Sequence, residues 1–320
     1  MRSIGALLCR GLWLTYISTL LLCSYSCSKK QKLADAFADK QILLAGLPTE
    51  PESLDPHLLS GNAAISVVQG LLEGLVIPHP SDATQVLPGV AHAWECSDDG
   101  LCWTFYLRPQ ARWSNGDTVV ASDFVYSYKR ALDPKFAAPM GDTLGILKNA
   151  KQYQRGLLDD FNQVGVQTLD EQTLLLTLEH PAPYLLPSLT QCVWMPVHPP
   201  TIEAHGGPTN RLSDWTLSQH YVGNGPFNLK NWDPNHSIEL EASNTYWDCA
   251  QVGLRGIHWQ PYADQAAEER AFRAGQLHYC TRVPVGLIDV YRKEHPELLH
   301  SDPYFATYFF RINTPSDTLK

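Results

Sequence analysis

The chain has 320 residues, 44% of them hydrophobic, which is enough apolar side chain for one large domain or two to three small ones and excludes a largely disordered chain. Lys and Arg total 24 against 33 Asp and Glu, a net charge of -9, so the basic footprint that a nucleic acid would grip is missing. Charged residues make up only 18%, while Pro (23), Trp (9) and Tyr (14) are numerous, a balance suited to a loop-rich α+β protein that presents aromatic surface to polar ligands.

At the start, Arg2 and Arg10 precede an apolar run from Gly11 to Cys23, followed by Ser24-Tyr25-Ser26-Cys27. The run is shorter than the about 20 residues of a bilayer span, so 1–27 reads as a signal peptide rather than a permanent anchor. Small residues ahead of a cysteine point to lipoprotein processing with Cys27 as the lipid attachment point; ordinary cleavage and an uncleaved helix are the alternatives. Residues 28–40 are polar and read as a tether, so folding is expected to begin near Gln41 and the protein to be exported.

ILLAGL after Gln41 predicts a short strand ended by Pro48, and PTEPESLDPH a turn-rich stretch. Ile65, Val68, Leu71, Leu72 and Leu75 lie at helical spacing, predicting a helix over 63–75 that Gly74 and Pro78 close. HAWEC and LCWTFYLR flank Asp98-Asp99-Gly100 and predict a hairpin with Gly100 left-handed, which would set Cys96 opposite Cys102. Facing strand residues are close enough to bridge, so a Cys96–Cys102 disulfide is one reading and two free thiols the other. Asn115-Gly116 marks a turn, and Ser122 or Asp123 would cap a helix carrying Phe124, Val125, Tyr128 and Leu132. VGVQTLDEQTLLLTLEH predicts two strands around Asp170-Glu171. The breaker cluster Pro196–Pro208 marks a domain boundary. GNGPFNLKNW, SIELEASNTYW and LRGIHWQPY read as three strands, AAEERAFRAGQL as an amphipathic helix, and YFATYFFRIN as a last strand.

Catalytic and metal motifs do not emerge. The 12 histidines form no HExxH or HxH, Cys192, Cys249 and Cys280 are scattered without a CxxC pair, and no phosphate loop or GxSxG is present. His198 and His205 read as solvated loop histidines, and the pairs Asp98-Asp99 and Asp159-Asp160 as turn caps. No enzyme activity, metal or cofactor is expected.

In order, PESLDPH, LLEGL, LPGVAHAWECSDDGLCWTFYLRPQARWSNGDTVVASDFVYSYKRALDP, VGVQTLDEQTLLLTLEHPAPYL, VGNGPFNLKNW, NTYWD, RAFRAGQL and YFATYFFRIN resemble the solute-binding proteins of ABC peptide permeases, oligopeptide-binding members above all. The resemblance runs from about Leu43 to Asn313. It implies a mixed α/β, two-lobed periplasmic-binding-protein-like fold with an extra inserted domain. Lobe I would comprise 41–72 and 201–305, the inserted domain II 73–200, and lobe III would start at 306–320 with most of that second ligand lobe missing. Such a chain would be the front part of a binding protein.

By the same resemblance Ser60, Gly61 and Asn62 fall on the lobe I strand that pairs with a bound peptide, with Ser60 in place of an acidic residue. Met140 stands where a Tyr is familiar, Cys280-Thr281-Arg282 occupy a Tyr-Asn-Asn position, Phe309 replaces a pocket Tyr and Arg311 a Glu. Arg282 and Arg311 would favour an anionic group if they face the cleft, the alternative being that they point to solvent or pair within the lobe. Trp113, Phe124 and Tyr126 read as scaffolding. The implied function is capture of oligopeptides in the periplasm, or on the outer face of a bacterial membrane, for delivery to an ABC permease. Another ligand on the same scaffold (a nickel chelate, haem or a cell-wall peptide) and a non-transporting remnant are the alternatives.

Overall fold

The computed structural model of the chain describes residues 32–59, 61–82, 84–302 and 310. The signal peptide with Cys27, the first residues of the tether, Ser60, the strand YFATYFFRIN with Phe309 and Arg311, and nearly all of 306–320 lie outside them.

In chain order the elements are α1 (Leu33–Ala38), β1 (Ile42–Leu47), α2 (Asn62–Leu71), β2 (Val76–Pro78), β3 (Val86–Pro88), β4 (Ala91–Cys96), β5 (Cys102–Leu107) and α3 (Ala121–Leu132). There follow α4 (Ala150–Gln154), β6 (Val166–Asp170), β7 (Thr173–Thr177), α5 (Leu185–Ser188), α6 (Pro199–Ala204), β8 (Phe227–Asp233), β9 (Ser237–Ala242), β10 (Gly256–Pro261), α7 (Gln265–Arg273) and α8 (Ile288–Glu294). One sheet has the order β1-β10-β9-β8, with β1 parallel to β10; a second, antiparallel sheet has the order β4-β5-β7-β6, and β2 and β3 pair as a ribbon. The first sheet is thus drawn from two segments far apart in sequence and the second from the stretch between them. A continuous buried core runs through both, from Leu47 and Val67 through Phe105, Trp113 and Leu176 to Ile238 and Leu240.

β1 is apolar without alternation because both its faces are covered. Leu44 points into a small cluster with Ala271 and Leu277, against which Phe37 packs, while Ala45 and Leu47 point into the main core. That cluster corrects the tether: α1 is docked, with the Ala34 N–H donating to Gly275 O at 2.9 Å and Ala34 O hydrogen-bonded to His278 Nε2 at 2.8 Å. The fold therefore takes in residues from Lys32 onward, ahead of Gln41.

α2 stops four residues short of its predicted end. Leu72 is extended (φ -131, ψ 149), and the Leu71 carbonyl accepts from the Gly225 N–H at 3.0 Å instead of continuing the helix. A side chain at Gly225 would collide with the backbone of Leu71 and Leu72, so a glycine is required at this approach. In α3 the cap also differs. Val120 precedes the first turn, and Asp123 reaches back from within it to accept the Val120 N–H at 3.1 Å and Trp113 Nε1–H at 2.9 Å. Trp113 and Phe124 are fully buried, and Tyr126 donates to Glu203 at 2.7 Å, all as scaffolding.

The β4–β5 hairpin has Gly100 at φ 71 as predicted, but its register is one residue away from the expected one: Cys96 lies opposite Trp103. A one-residue change sends a side chain to the other face of a sheet, so Cys96 and Cys102 do not face each other, and both are free. His198 is also corrected. It is buried, with Nδ1 2.8 Å from Thr201 Oγ1, Nε2 3.0 Å from Asp117 Oδ2 and its ring edge-on to Trp113. The acidic pairs do act as turn caps: Asp99 Oδ1 accepts the Leu101 N–H at 3.0 Å and Asp160 Oδ1 the Asn162 N–H at 3.0 Å.

Candidate functional site

β1 and β10 run parallel, and after α7 the chain returns parallel on the other edge of β1, where Tyr279 bridges to Ala45 and its carbonyl accepts the Gly46 N–H at 3.1 Å. Three successive segments therefore end on one side, at Leu47, Pro261 and Thr281. In open α/β sheets ligands lie outside the carboxyl ends of the strands, so the loops leaving these three ends define the candidate site.

The first loop, Pro48–Gly61, is anchored from beneath by a buried cluster. Arg130 on α3 donates from Nη1 and Nη2 to the two carboxylate oxygens of Asp55 at 3.0 and 2.5 Å, from Nε to Pro208 O at 3.0 Å, and from Nη1 to His57 Nδ1 at 2.8 Å. Because a guanidinium can only donate, His57 Nδ1 is the acceptor and its Nε2–H donates to Met195 O at 3.1 Å. Burial, then the Arg130 charge, push the His57 pKa down to about 4, so the ring is neutral. For Asp55 burial raises the pKa, but Arg130 and His57 together outweigh it and hold the carboxyl below its usual range. The PESLDPH string is thus a loop held by an ion pair whose other half, Arg130, the sequence reading had not singled out.

Above this anchor Gly61 lines a cavity of about 160 Å³ with Glu50, Glu52 and Leu59. Glu50 accepts Trp232 Nε1–H on Oε1 at 2.7 Å, and its Oε2 is buried with no hydrogen-bond partner among the described residues. Gly61 is extended (φ -123, ψ 148), but Asn62 already begins α2, so these residues form a helix entry and not the strand expected.

The second part is the segment after Tyr279. Glu268, in the first turn of α7 and 1% exposed, accepts the Thr281 N–H at 2.6 Å and Thr281 Oγ1–H at 2.8 Å. A methyl group at Gly46 would overlap this carboxylate, so glycine on β1 makes the space in which Glu268 holds Thr281. Cys280 Sγ–H donates to Arg282 O at 3.3 Å, and burial leads in pushing that thiol up to about 11. Cys280, Thr281, Tyr279 and His300 border a cavity of about 330 Å³, and Arg282 is exposed. Gly61 and Cys280-Thr281 thus sit on two of the three loops but on separate cavities, and Arg282 borders neither. Met140 is 44% exposed in another loop, its carbonyl accepting Thr143 Oγ1–H at 2.8 Å, and borders neither.

Behind the first loop, Glu73 is buried where α2 leads into β2. It accepts Tyr246 O–H and Trp247 Nε1–H, and Arg108 stacks 3.6 Å above the Trp247 ring. Desolvation outweighs these partners and raises its pKa to about 7. Among the described residues no helix is long and apolar enough to cross a membrane.

The loops at the carboxyl edge of the sheet thus carry Glu50 and Glu52 beside one cavity and, next to the residues that border the other, the exposed Arg282. A family model described as bacterial extracellular solute-binding proteins, family 5 Middle, matches residues 85–320, and the chain belongs to that family. It is 34% identical over 283 residues to the periplasmic oligopeptide-binding protein OppA of Escherichia coli, covering 86% of this chain and 50% of that protein. It is 31% identical over 279 residues to the periplasmic murein peptide-binding protein MppA of the same organism, again covering 50% of that protein. The structure of Haemophilus influenzae OppA in complex with the peptide RPPGFSPFR superposes with a TM-score of 0.74 at 32% identity, over 80% of this chain and 49% of that one. The chain spans about half the length of the relatives it matches.

Proposed function

We propose that the chain acts in a peptide-capturing solute-binding protein, a binding component without catalysis of its own, working outside the cytoplasmic membrane with an ABC permease as partner. The observation that carries this reading is the fixed placement of Thr281 by Glu268 beside an open cavity at the carboxyl edge of the sheet. An extended peptide is held chiefly through its main chain, which requires loop backbone locked in position more than any particular side chain. Charge supports the same ligand class. The cavity at Gly61 carries Glu50 and Glu52, suited to an ammonium group, and Arg282 at the other side suits a carboxylate, so a zwitterionic peptide meets complementary charge at both. The resemblance to a murein peptide binder makes cell-wall peptides the second ligand class. Ser60, Asn62, Met140, Phe309 and Arg311 remain part of the proposed ligand-contacting set, and lipidation of Cys27 part of the proposed route to the membrane surface, testable by labelling cells with a tagged fatty acid.

Native mass spectrometry of the purified chain mixed with equal amounts of di- to pentapeptides and a murein tripeptide tests the reading. A retained peptide that is lost from a folded Glu268→Ala variant supports it, and the mass retained separates the two ligand classes. A ligand-free spectrum from folded protein overturns it for this chain alone.

A further inference from the structure

Away from the loops described above, the turn that follows α6 gathers three donor groups that are scattered in sequence. His205 caps α6 at its carboxyl end, Gly206 and Gly207 reverse the chain with φ of 101 and 84, and the loop then folds back over the helix end. His205 Nδ1 lies 2.7 Å from Asp214 Oδ1, and His220 Nδ1 lies 3.1 Å from the Asp214 main-chain carbonyl oxygen and 3.6 Å from Asp214 Oδ2. The two imidazole rings stand 4.2 Å apart at 35°, and one ligand atom from each of the three residues falls within 4.8 Å of the others.

The cluster is held by groups that are not themselves ligands. Ser213 Oγ–H and Asn210 Nδ2–H both donate to the His205 carbonyl, at 2.7 and 3.3 Å, and the Gly207 N–H closes on Ile202 O at 3.0 Å. Trp215, 2% exposed, is the buried pin of the loop and stacks on Tyr221, whose hydroxyl donates to Leu54 O at 3.1 Å. The His220 N–H donates to Leu217 O at 2.9 Å, which fixes the last donor's backbone. The donor side chains themselves remain reachable from solvent, at 22% for His205, 29% for His220 and 55% for Asp214.

We infer that His205, Asp214 and His220 form a binding site for a divalent first-row transition ion, with Zn²⁺ as its natural probe. Two imidazole nitrogens and one carboxylate match the ligand preference of Zn²⁺, Ni²⁺ and Cu²⁺; Ca²⁺ and Mg²⁺ demand more oxygen than one carboxylate gives. Bonds of about 2.0–2.2 Å around a tetrahedral ion place its donors about 3.4 Å apart, so the present spacing, within 4.8 Å, needs an adjustment of at most about 1.4 Å. The ion takes the place of the proton that now joins His205 to Asp214. Three protein ligands leave a fourth position facing solvent, open to water or to a donor atom carried by a solute. In this role the ion clasps the end of α6 to the loop that Tyr221 ties to Leu54.

The test is titration calorimetry of the full chain with Zn²⁺, repeated on His205→Ala, His220→Ala and, as a control, His236→Ala, which is exposed and outside the cluster. One equivalent bound by the parent and by His236→Ala, and weakened at least tenfold in each cluster variant, is the expected result. No uptake by the parent, or uptake unchanged in the cluster variants, overturns the assignment. A second reading needs no variant: Cu²⁺ added at one equivalent to the parent should show electron paramagnetic coupling to two imidazole nitrogens, and a spectrum with one or none overturns the site.

Discussion

Two buried groups, His57 and Glu73, are displaced in opposite directions, and the cancellation can be exposed. His57 titrates near 6.5 in an unfolded chain and at about 4 when folded, so between these values the unfolded state holds the extra proton and stability rises with pH. Glu73 titrates near 4.5 unfolded and at about 7 folded, so between these values the folded state holds the extra proton and stability falls with pH. Each contributes a slope of about 1.4 kcal/mol per pH unit, with opposite signs, over the shared window from pH 4.5 to 6.5. Relative to the parent, Glu73→Gln should therefore gain about 3 kcal/mol of stability as pH rises across that window, and His57→Gln should lose about as much. Every other titrating group is common to the three proteins and drops out of the comparison. Urea unfolding at several pH values across the window reads all three slopes. Should Glu73→Gln follow the same slope as the parent, the claim that this carboxyl is protonated in the folded state is wrong; the parallel outcome for His57→Gln refutes the neutral imidazole.

Breaking the Asp55–Arg130 pair leaves a buried charge uncompensated, so Arg130→Gln and Asp55→Asn should each cost about 3–5 kcal/mol by denaturant unfolding, and the double variant far less than their sum; additive losses would show the pair to be uncoupled. Gly46→Ala should displace the Glu268 carboxylate, cost about 1–3 kcal/mol and speed exchange of the Thr281 amide by at least tenfold in hydrogen-exchange measurements, whereas unchanged exchange would mean that another contact holds that loop. Alkylation of the native protein should label the exposed Cys96 and Cys249 and spare Cys192, which is buried and whose thiol burial pushes up to about 12; labelling of Cys192 at the rate of Cys96 counts against this packing.

What could be read from the sequence was what the chain encodes locally. β1 stands where an unbroken apolar run put it, the β6–β7 hairpin turns beside Asp170-Glu171, and Gly100 is left-handed. The misreadings share one cause, a partner distant in sequence. α2 ends early because Gly225 claims a carbonyl that helical spacing alone assigned to the helix. His198 lies in a run of prolines that looks solvated, and only Asp117 and Trp113 make it an interior residue. The family blocks pointed to Cys280-Thr281-Arg282, but Glu268, which positions Thr281, lay unremarked in an amphipathic helix. Its signal was a carboxylate in the first turn that is buried, and burial is a tertiary property. The donors of the turn after α6 were missed for the same reason, since their spacing matches no short motif.

The sheet that carries the site imposes an order of assembly. The antiparallel sheet is built from two hairpins, β4–β5 and β6–β7, each of which can pair soon after it is made. β1 emerges among the first segments, and its partner strand begins only at residue 256. Until then an apolar strand covered on both faces in the folded protein has nothing to pair with, and long-range parallel pairing is slow to form. A chain made from its amino end presents β1 early and β10 late. Such a strand calls for protection from aggregation during that interval, and the acidic net charge of the whole chain is one means of supplying it.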